Sequence, residues 1–183
     1  RDCGLEERAP MCGIPYHAAN NYISRLVSKG YKIAICEQLE DPALAKGIVK
    51  RDIIKIITPG TFTDASFLEE NKNNYILSIY LDKATDRCGL CFADISTGEF
   101  NATSFSMDYS LIVDEIYKFS PKEILVQSDF QLGYLQDIVD KMDITITKKE
   151  PSYFSQNIED NFVKQFPNSD VKNYHSSISH SAN

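Results

Sequence analysis

Apolar residues recur along this chain at two different periods, and the switches between them mark out short helices and strands. From Tyr16 to Lys29, the residues Ala19, Tyr22, Ile23, Leu26 and Val27 fall on one helical face, with Lys29 in the last turn and Gly30 placed for a left-handed cap. Within Lys32 to Glu37 the run Ile33-Ala34-Ile35-Cys36 is apolar on both faces, which predicts an interior strand. Asp41 and Pro42 offer an N-cap and a first-turn proline for a short helix that Gly47 ends, and Ile53 to Ile57 reads as a second apolar strand stopping at the turn Thr58-Pro59-Gly60. A helix and two such strands are half of an α/β domain, whose remaining strands are expected upstream.

Residues 59–74 break the pattern. Pro59, Gly60 and the polar run Glu69-Glu70-Asn71-Lys72-Asn73-Asn74 leave Phe62, Phe67 and Leu68 to tack the segment down, so it reads as an interdomain linker. Beyond it come three strands, Tyr75 to Leu81, Cys88 to Ile95 and Glu99 to Phe105, the last two joined by a tight turn at Ser96-Thr97-Gly98. Ser106 is placed to cap a helix with the face Tyr109, Ile112, Val113, Ile116 and Tyr117, which Pro121 stops. A strand Glu123 to Gln127, a helix Asp129 to Met142 carrying Leu132, Leu135, Ile138 and Val139, and a strand Ile144 to Thr147 follow. After Pro151 a last helix, Ser152 to Phe166, stacks Phe154, Ile158, Phe162 and Phe166, and Pro167 ends it. The order βββαβαβα over residues 75–167 is that of ribonuclease H-like folds. Residues 168–183, rich in Ser, Asn and His, read as a disordered tail.

Composition narrows the function classes. With 43% hydrophobic residues, 183 residues suffice for two small cores, and no apolar run approaches the ~18 residues that cross a bilayer. The N-terminus carries no secretory pattern, and five irregularly spaced cysteines suit reduced thiols, so a soluble cytoplasmic protein is expected. Cys88 and Cys91, three apart on a strand, point to opposite faces and predict neither a metal site nor a bridge. Residues 1–57 hold nine Lys/Arg against seven Asp/Glu, whereas residues 58–183 hold ten against nineteen. Net charges of +2 and −9 leave the first part as the one suited to approach a phosphate backbone.

Three strings, Met11-Cys12-Gly13-Ile14-Pro15-Tyr16-His17-Ala18, Ile35-Cys36-Glu37-Gln38-Leu39-Glu40-Asp41-Pro42 and Ile57-Thr58-Pro59-Gly60-Thr61, stand in this order. Together they closely resemble the amino-terminal part of the MutS family of DNA mismatch-recognition ATPases. A fourth, Phe92-Ala93-Asp94-Ile95-Ser96-Thr97-Gly98-Glu99-Phe100, falls where the MutS connector domain carries a very similar string. The resemblance implies that residues 1–58 are the C-terminal part of a mixed-sheet mismatch-binding domain. Residues 59–74 would then be the linker, 75–167 a ribonuclease H-like connector domain, and 168–183 the approach to a core domain. The Phe-x-Glu motif with which the family contacts a mispaired base is expected upstream. Phe67-Leu68-Glu69, in the linker, is read as coincidence.

The resemblance also supplies site residues. A backbone-approaching arginine falls on Arg1, the turn that lies against DNA on Pro10 and Met11, and a basic residue before the domain's last strand on Arg51, which Lys46, Lys50 and Lys55 flank. The alternative for each is a solvated charge or, for Met11, core packing. The family's connector docks MutL, and its partner-facing helix corresponds to Ser152 to Phe166 with Asp160 and Asn161 outward; a solvated helix face is the alternative. Some relatives carry two glutamines there. No catalytic or metal-binding residues are expected. No Gly-x4-Gly-Lys-Ser/Thr loop is present, so ATP and Mg²⁺ belong to the full-length family protein and this piece is expected to be no enzyme itself. Mismatched double-stranded DNA and MutL are the expected partners, with homodimerisation through other domains and no membrane. A paralogue acting on recombination junctions is the first rival. The second is a ribonuclease H-like nuclease, for which Glu115 and Asp129 loosely match two of three carboxylate positions while Tyr75 to Leu81 has no interior acid and Asp82 follows only at the strand's end. His17 stands alone at a helix start and is read as a hydrogen-bonding turn residue. His175 and His180 fall in the tail.

Overall fold

The computed structural model describes residues 13–41, 43, 44, 47–63 and 72–154. Pro15 opens a single 3-10 turn, Tyr16–Ala18, closed by the Ala18 N–H to the Pro15 carbonyl at 3.0 Å. The α-helix α1 (Ala19–Val27) thus starts three residues later than the apolar spacing suggests. Its end is as expected: Gly30 takes φ +80°, and the Tyr31 N–H returns to the Leu26 carbonyl at 3.1 Å. β1 (Ile33–Gln38) and β2 (Arg51–Ile57) form a two-stranded antiparallel ribbon. β1 is not an interior strand among the described residues, for it has one neighbour, and Ala34, Cys36, Ile53, Ile54 and Ile56 are exposed. An unbroken apolar run shows that both faces tolerate burial, not that both are covered. The helix expected after Asp41 is a turn in its described residues. The Asp41 carboxylate accepts the Ala43 N–H at 2.9 Å and its carbonyl the Leu44 N–H at 3.0 Å, a local closure that competes with helix.

The second sheet has five strands, β3 (Tyr75–Asp82), β4 (Arg87–Asp94), β5 (Glu99–Ser106), β6 (Glu123–Gln127) and β7 (Thr145–Lys149), in the order β5-β4-β3-β6-β7. β3, β4 and β5 pair antiparallel, while β6 and β7 run parallel to β3. Two helices, α2 (Tyr109–Phe119) and α3 (Gln136–Met142), supply the crossovers, so the described residues follow the expected ribonuclease H-like order as far as βββαβαβ. Leu77, Ile79, Leu90, Phe92, Ile112, Ile116, Ile124, Val126 and Leu135 are almost wholly buried in one core, each contributing about 1.5–3 kcal/mol of transfer free energy. Phe92 stacks on Phe119 at 4.2 Å between ring centroids, and Tyr75 meets Phe119 edge-on at 5.2 Å.

Three details differ from expectation. Ser106 ends β5, and Asp108 caps α2 in its place, accepting the Ser110 N–H at 2.9 Å; a carboxylate at a helix N-terminus also meets the helix dipole favourably. The helix expected from Asp129 begins only at Gln136, because residues 130–132 are irregular and the turn that precedes the helix, closed by the Leu135 N–H to the Leu132 carbonyl, contains Gly133, a poor helix former. The apolar spacing still marks the right side chains, since Leu135, Ile138 and Val139 are buried and Leu132 and Met142 pack beside them. Of the helix Ser152 to Phe166, the described part is a 3-10 turn, Pro151–Phe154, whose Phe154 is fully buried 5.9 Å from Tyr80; the remainder lies outside the described residues.

The stretch between the two sheets is bound at both described ends. The turn after β2 closes through the Thr61 N–H to the Thr58 carbonyl at 3.1 Å. The Gly60 N–H donates to Glu123 at 3.2 Å. From the far end, the Asn74 side-chain amide donates to the carbonyls of Pro59, Phe62 and Gly60 at 3.0, 3.1 and 3.4 Å.

Candidate nucleic-acid and partner interface

The ribbon determines where its charges stand. Ile33 pairs with Ile57 and Ile35 with Lys55, but Cys36 pairs with Ile53, leaving Ile54 as an extra residue on β2. Cross-strand partners share a face, so Lys55 lies with the more buried Ile33, Ile35 and Ile57. Arg51, opposite Gln38, falls on the other side with Ile53 and Ile56. The bulge therefore separates Lys55 from Arg51, which plain alternation would have aligned. Lys50 closes the loop at the ribbon's tip: its carbonyl accepts the Leu39 N–H at 2.9 Å, and its own N–H donates to Glu40 at 2.6 Å. Arg51 is exposed.

Over residues 37–55 the formal charge is balanced. Glu37, Glu40, Asp41 and Asp52 match Lys46, Lys50, Arg51 and Lys55 in number, and Glu37 stands directly opposite Asp52. Non-specific attraction from the ribbon is accordingly weak, and any phosphate contact here depends on where individual side chains stand. Leu39, Leu44 and Ile48 of the tip are exposed, at 51%, 80% and 93%, leaving apolar contact available beside the charges. Arg1, Pro10 and Met11 lie outside the described residues, as do Lys46, Asp160 and Asn161.

The carboxylates weighed for nuclease chemistry are partnered separately. Glu115 pairs with Lys118 at 3.1 Å, and Asp129 with Lys83, whose hydrogen bond holds the Asp129 carboxyl below the usual carboxylate range. Asp82 accepts the Ala84 N–H and the Thr85 hydroxyl in the turn that follows β3. A small cavity of about 200 Å³ between Leu81, Gln127, Asp129 and Tyr109 thus has Lys83 at its rim. Among the described residues no three His, Cys, Asp or Glu side chains gather as a metal site. Cys88 is buried in the core, which pushes its thiol up to about 12, and Cys91 is buried outside that cluster. His17 is exposed in a turn closed by backbone bonds. No described helix is long and apolar enough to cross a membrane.

What sequence reasoning missed is polar and buried: Glu123, Asp94 and Asn74, at 1%, 1% and 7% exposure. Each stands at the edge of a strand, where alternation carries no information about what lies beyond the sheet.

Comparison with known proteins decides the family. Residues 1–66 match the model of MutS domain I, and residues 74–182, more than half of the chain, match that of MutS domain II. The chain belongs to the MutS family. The DNA mismatch repair protein MutS of Clostridium botulinum is 58% identical over 184 residues, covering 100% of this chain and 20% of that protein. MutS of Clostridium tetani is 62% identical over 154 residues, covering 84% of this chain and 17% of that protein. The chain thus spans about a fifth of the length of these MutS relatives. The β1–β2 ribbon falls in MutS domain I, and the five-stranded sheet falls in MutS domain II.

Proposed function

We propose that this chain is the portion of a mismatch-repair MutS that lays its first module along mispaired duplex DNA and uses its second to couple domain movement to MutL docking. The observation that carries this reading is the succession of MutS domain I and domain II along one chain, with the exposed ribbon in the first and a self-contained core in the second. Arg1, Pro10, Met11, Lys50 and Arg51 form the DNA side, and Lys50 and Arg51 are exposed at the ribbon's tip. Asp160 and Asn161 form the MutL side, six and seven residues along the chain from the buried Phe154. ATP hydrolysis and Mg²⁺ belong, in this reading, to other parts of the protein, as does the homodimer contact, and the chain acts by binding and coupling.

Fluorescence anisotropy with matched and mismatched duplexes at two salt concentrations tests the DNA side. The isolated chain is expected to bind both duplexes weakly, because the charges of residues 37–55 balance, and equally, because contacts to phosphates do not read the bases. Arg51→Glu weakens both alike, and removing one phosphate contact lowers the salt slope by about one. A mismatch preference above about tenfold, roughly 1.4 kcal/mol, or an Arg51→Glu variant with parental affinity and slope, overturns the assignment.

A further inference from the structure

Four polar groups that neither the DNA-facing nor the partner-facing reading uses meet where the ribbon adjoins the five-stranded sheet. Glu123 opens β6 and is 1% exposed. One of its carboxylate oxygens accepts the Gly60 N–H at 3.2 Å, and the other accepts the Thr147 hydroxyl. Thr147, in β7, accepts in turn from the Lys32 ammonium at 2.5 Å. Lys32 immediately precedes β1, and Gly60 follows β2 by three residues. Both ends of the ribbon therefore run through one carboxylate to two neighbouring strands of the other module.

The fit at Gly60 is tight. A Cβ there would stand 2.9 Å from the Ile76 Cβ and 3.0 Å from the Glu123 Cβ, so a side chain drives the turn away from β3 and β6. A buried carboxylate is tolerated where hydrogen bonds and a cation compensate it, and here the cation, Lys32, comes from the opposite module through Thr147. A cleft of about 630 Å³ lies between Ser24, Val27 and Ser28 of the α1 end and Phe119 and Met142 of the second module. Small polar interfaces of this kind hold an orientation while remaining releasable.

We propose that Lys32, Gly60, Glu123 and Thr147 form a polar latch that fixes the direction of the ribbon relative to the five-stranded sheet. These are positioning residues, and the inference stands whether or not the ribbon touches DNA. Residual dipolar couplings of backbone N–H groups in the 183-residue chain test it. In the parent, one alignment tensor fits residues 33–57 and 75–149 together. Gly60→Ala and Thr147→Val each require two tensors, with the alignment of residues 33–57 reduced about twofold or more, as expected of modules joined by a small interface once it is released. Thr147→Ser, which keeps the hydroxyl, restores the single tensor. Couplings within residues 75–149 report in the same spectra whether the second module remains folded. Where Gly60→Ala disturbs it, or the two variants disagree, the near-isosteric Thr147→Val decides. A parent that already needs two tensors, or a Thr147→Val variant that keeps one, overturns the latch.

Discussion

Asp94 shows how much one buried polar side chain organises. Its carboxylate accepts the N–H groups of Ser96, Asn74 and Thr97 at 2.8, 3.0 and 3.3 Å and the Ser96 hydroxyl at 2.6 Å, joining the β4–β5 turn to the start of β3. Burial by itself raises this carboxyl, but the Ser96 hydroxyl and the three backbone donors outweigh it and hold it below its ordinary value. Asp94→Asn keeps the shape and weakens these bonds, so a loss of about 1–3 kcal/mol is expected in urea denaturation at pH 6. A depressed folded-state value means that the stability from the charge is fully present above the unfolded value, about 3.9, and is lost as pH falls through the folded one. The gap between parent and variant therefore narrows at pH 3. The string around Asp94 was legible as a turn from Ser96-Thr97-Gly98. That its acid reaches back to Asn74 was not, since Asn74 lies twenty residues away in sequence and touches it only when β3 and β4 pair.

At the level of elements, periodicity found the helices by the side chains they bury better than by where they begin. Ile112 and Ile116 of α2 are wholly buried, whereas Tyr117, the next residue, is 49% exposed. Ile116→Ala is expected to cost about 2–5 kcal/mol and Tyr117→Ala less than about 1 kcal/mol, both read from urea denaturation of the same chain. Boundaries were less legible because they rest on single side chains. Asp108, not Ser106, supplies the first acceptor of α2, and Gly133 delays α3 although Leu132 and Leu135 keep helical spacing. The ribbon bulge at Ile54 had no signature at all. Three isoleucines out of four residues read as uniform alternation, and the slip appears only against the register of β1.

For the molecule as a whole, the main buried cluster draws its residues from 75–144, so the second module carries a core of its own while the ribbon exposes Ile53, Ile54 and Ile56. Hydrogen exchange is expected to show the amides of β3, β4 and β6 outlasting those of β1 and β2, and a chain starting at Asn73 is expected to fold alone. Faster exchange in β3 than in β1, or an unfolded shortened chain, tells against two separate cores. The succession of strands and helices along residues 75–149 was readable from the sequence, because each strand and crossover carries its own pattern. The way the modules meet was not, because it rests on polar atoms brought together only by folding. One consequence concerns the stretch that joins them. Since Asn74 holds Pro59, Gly60 and Phe62, the two described ends of the stretch from β2 to β3 are tied to each other. Its length does not set the effective concentration of one module around the other, so a few residues inserted between 63 and 72 cost only the slow logarithmic rise of loop closure and leave the reach of the ribbon unchanged.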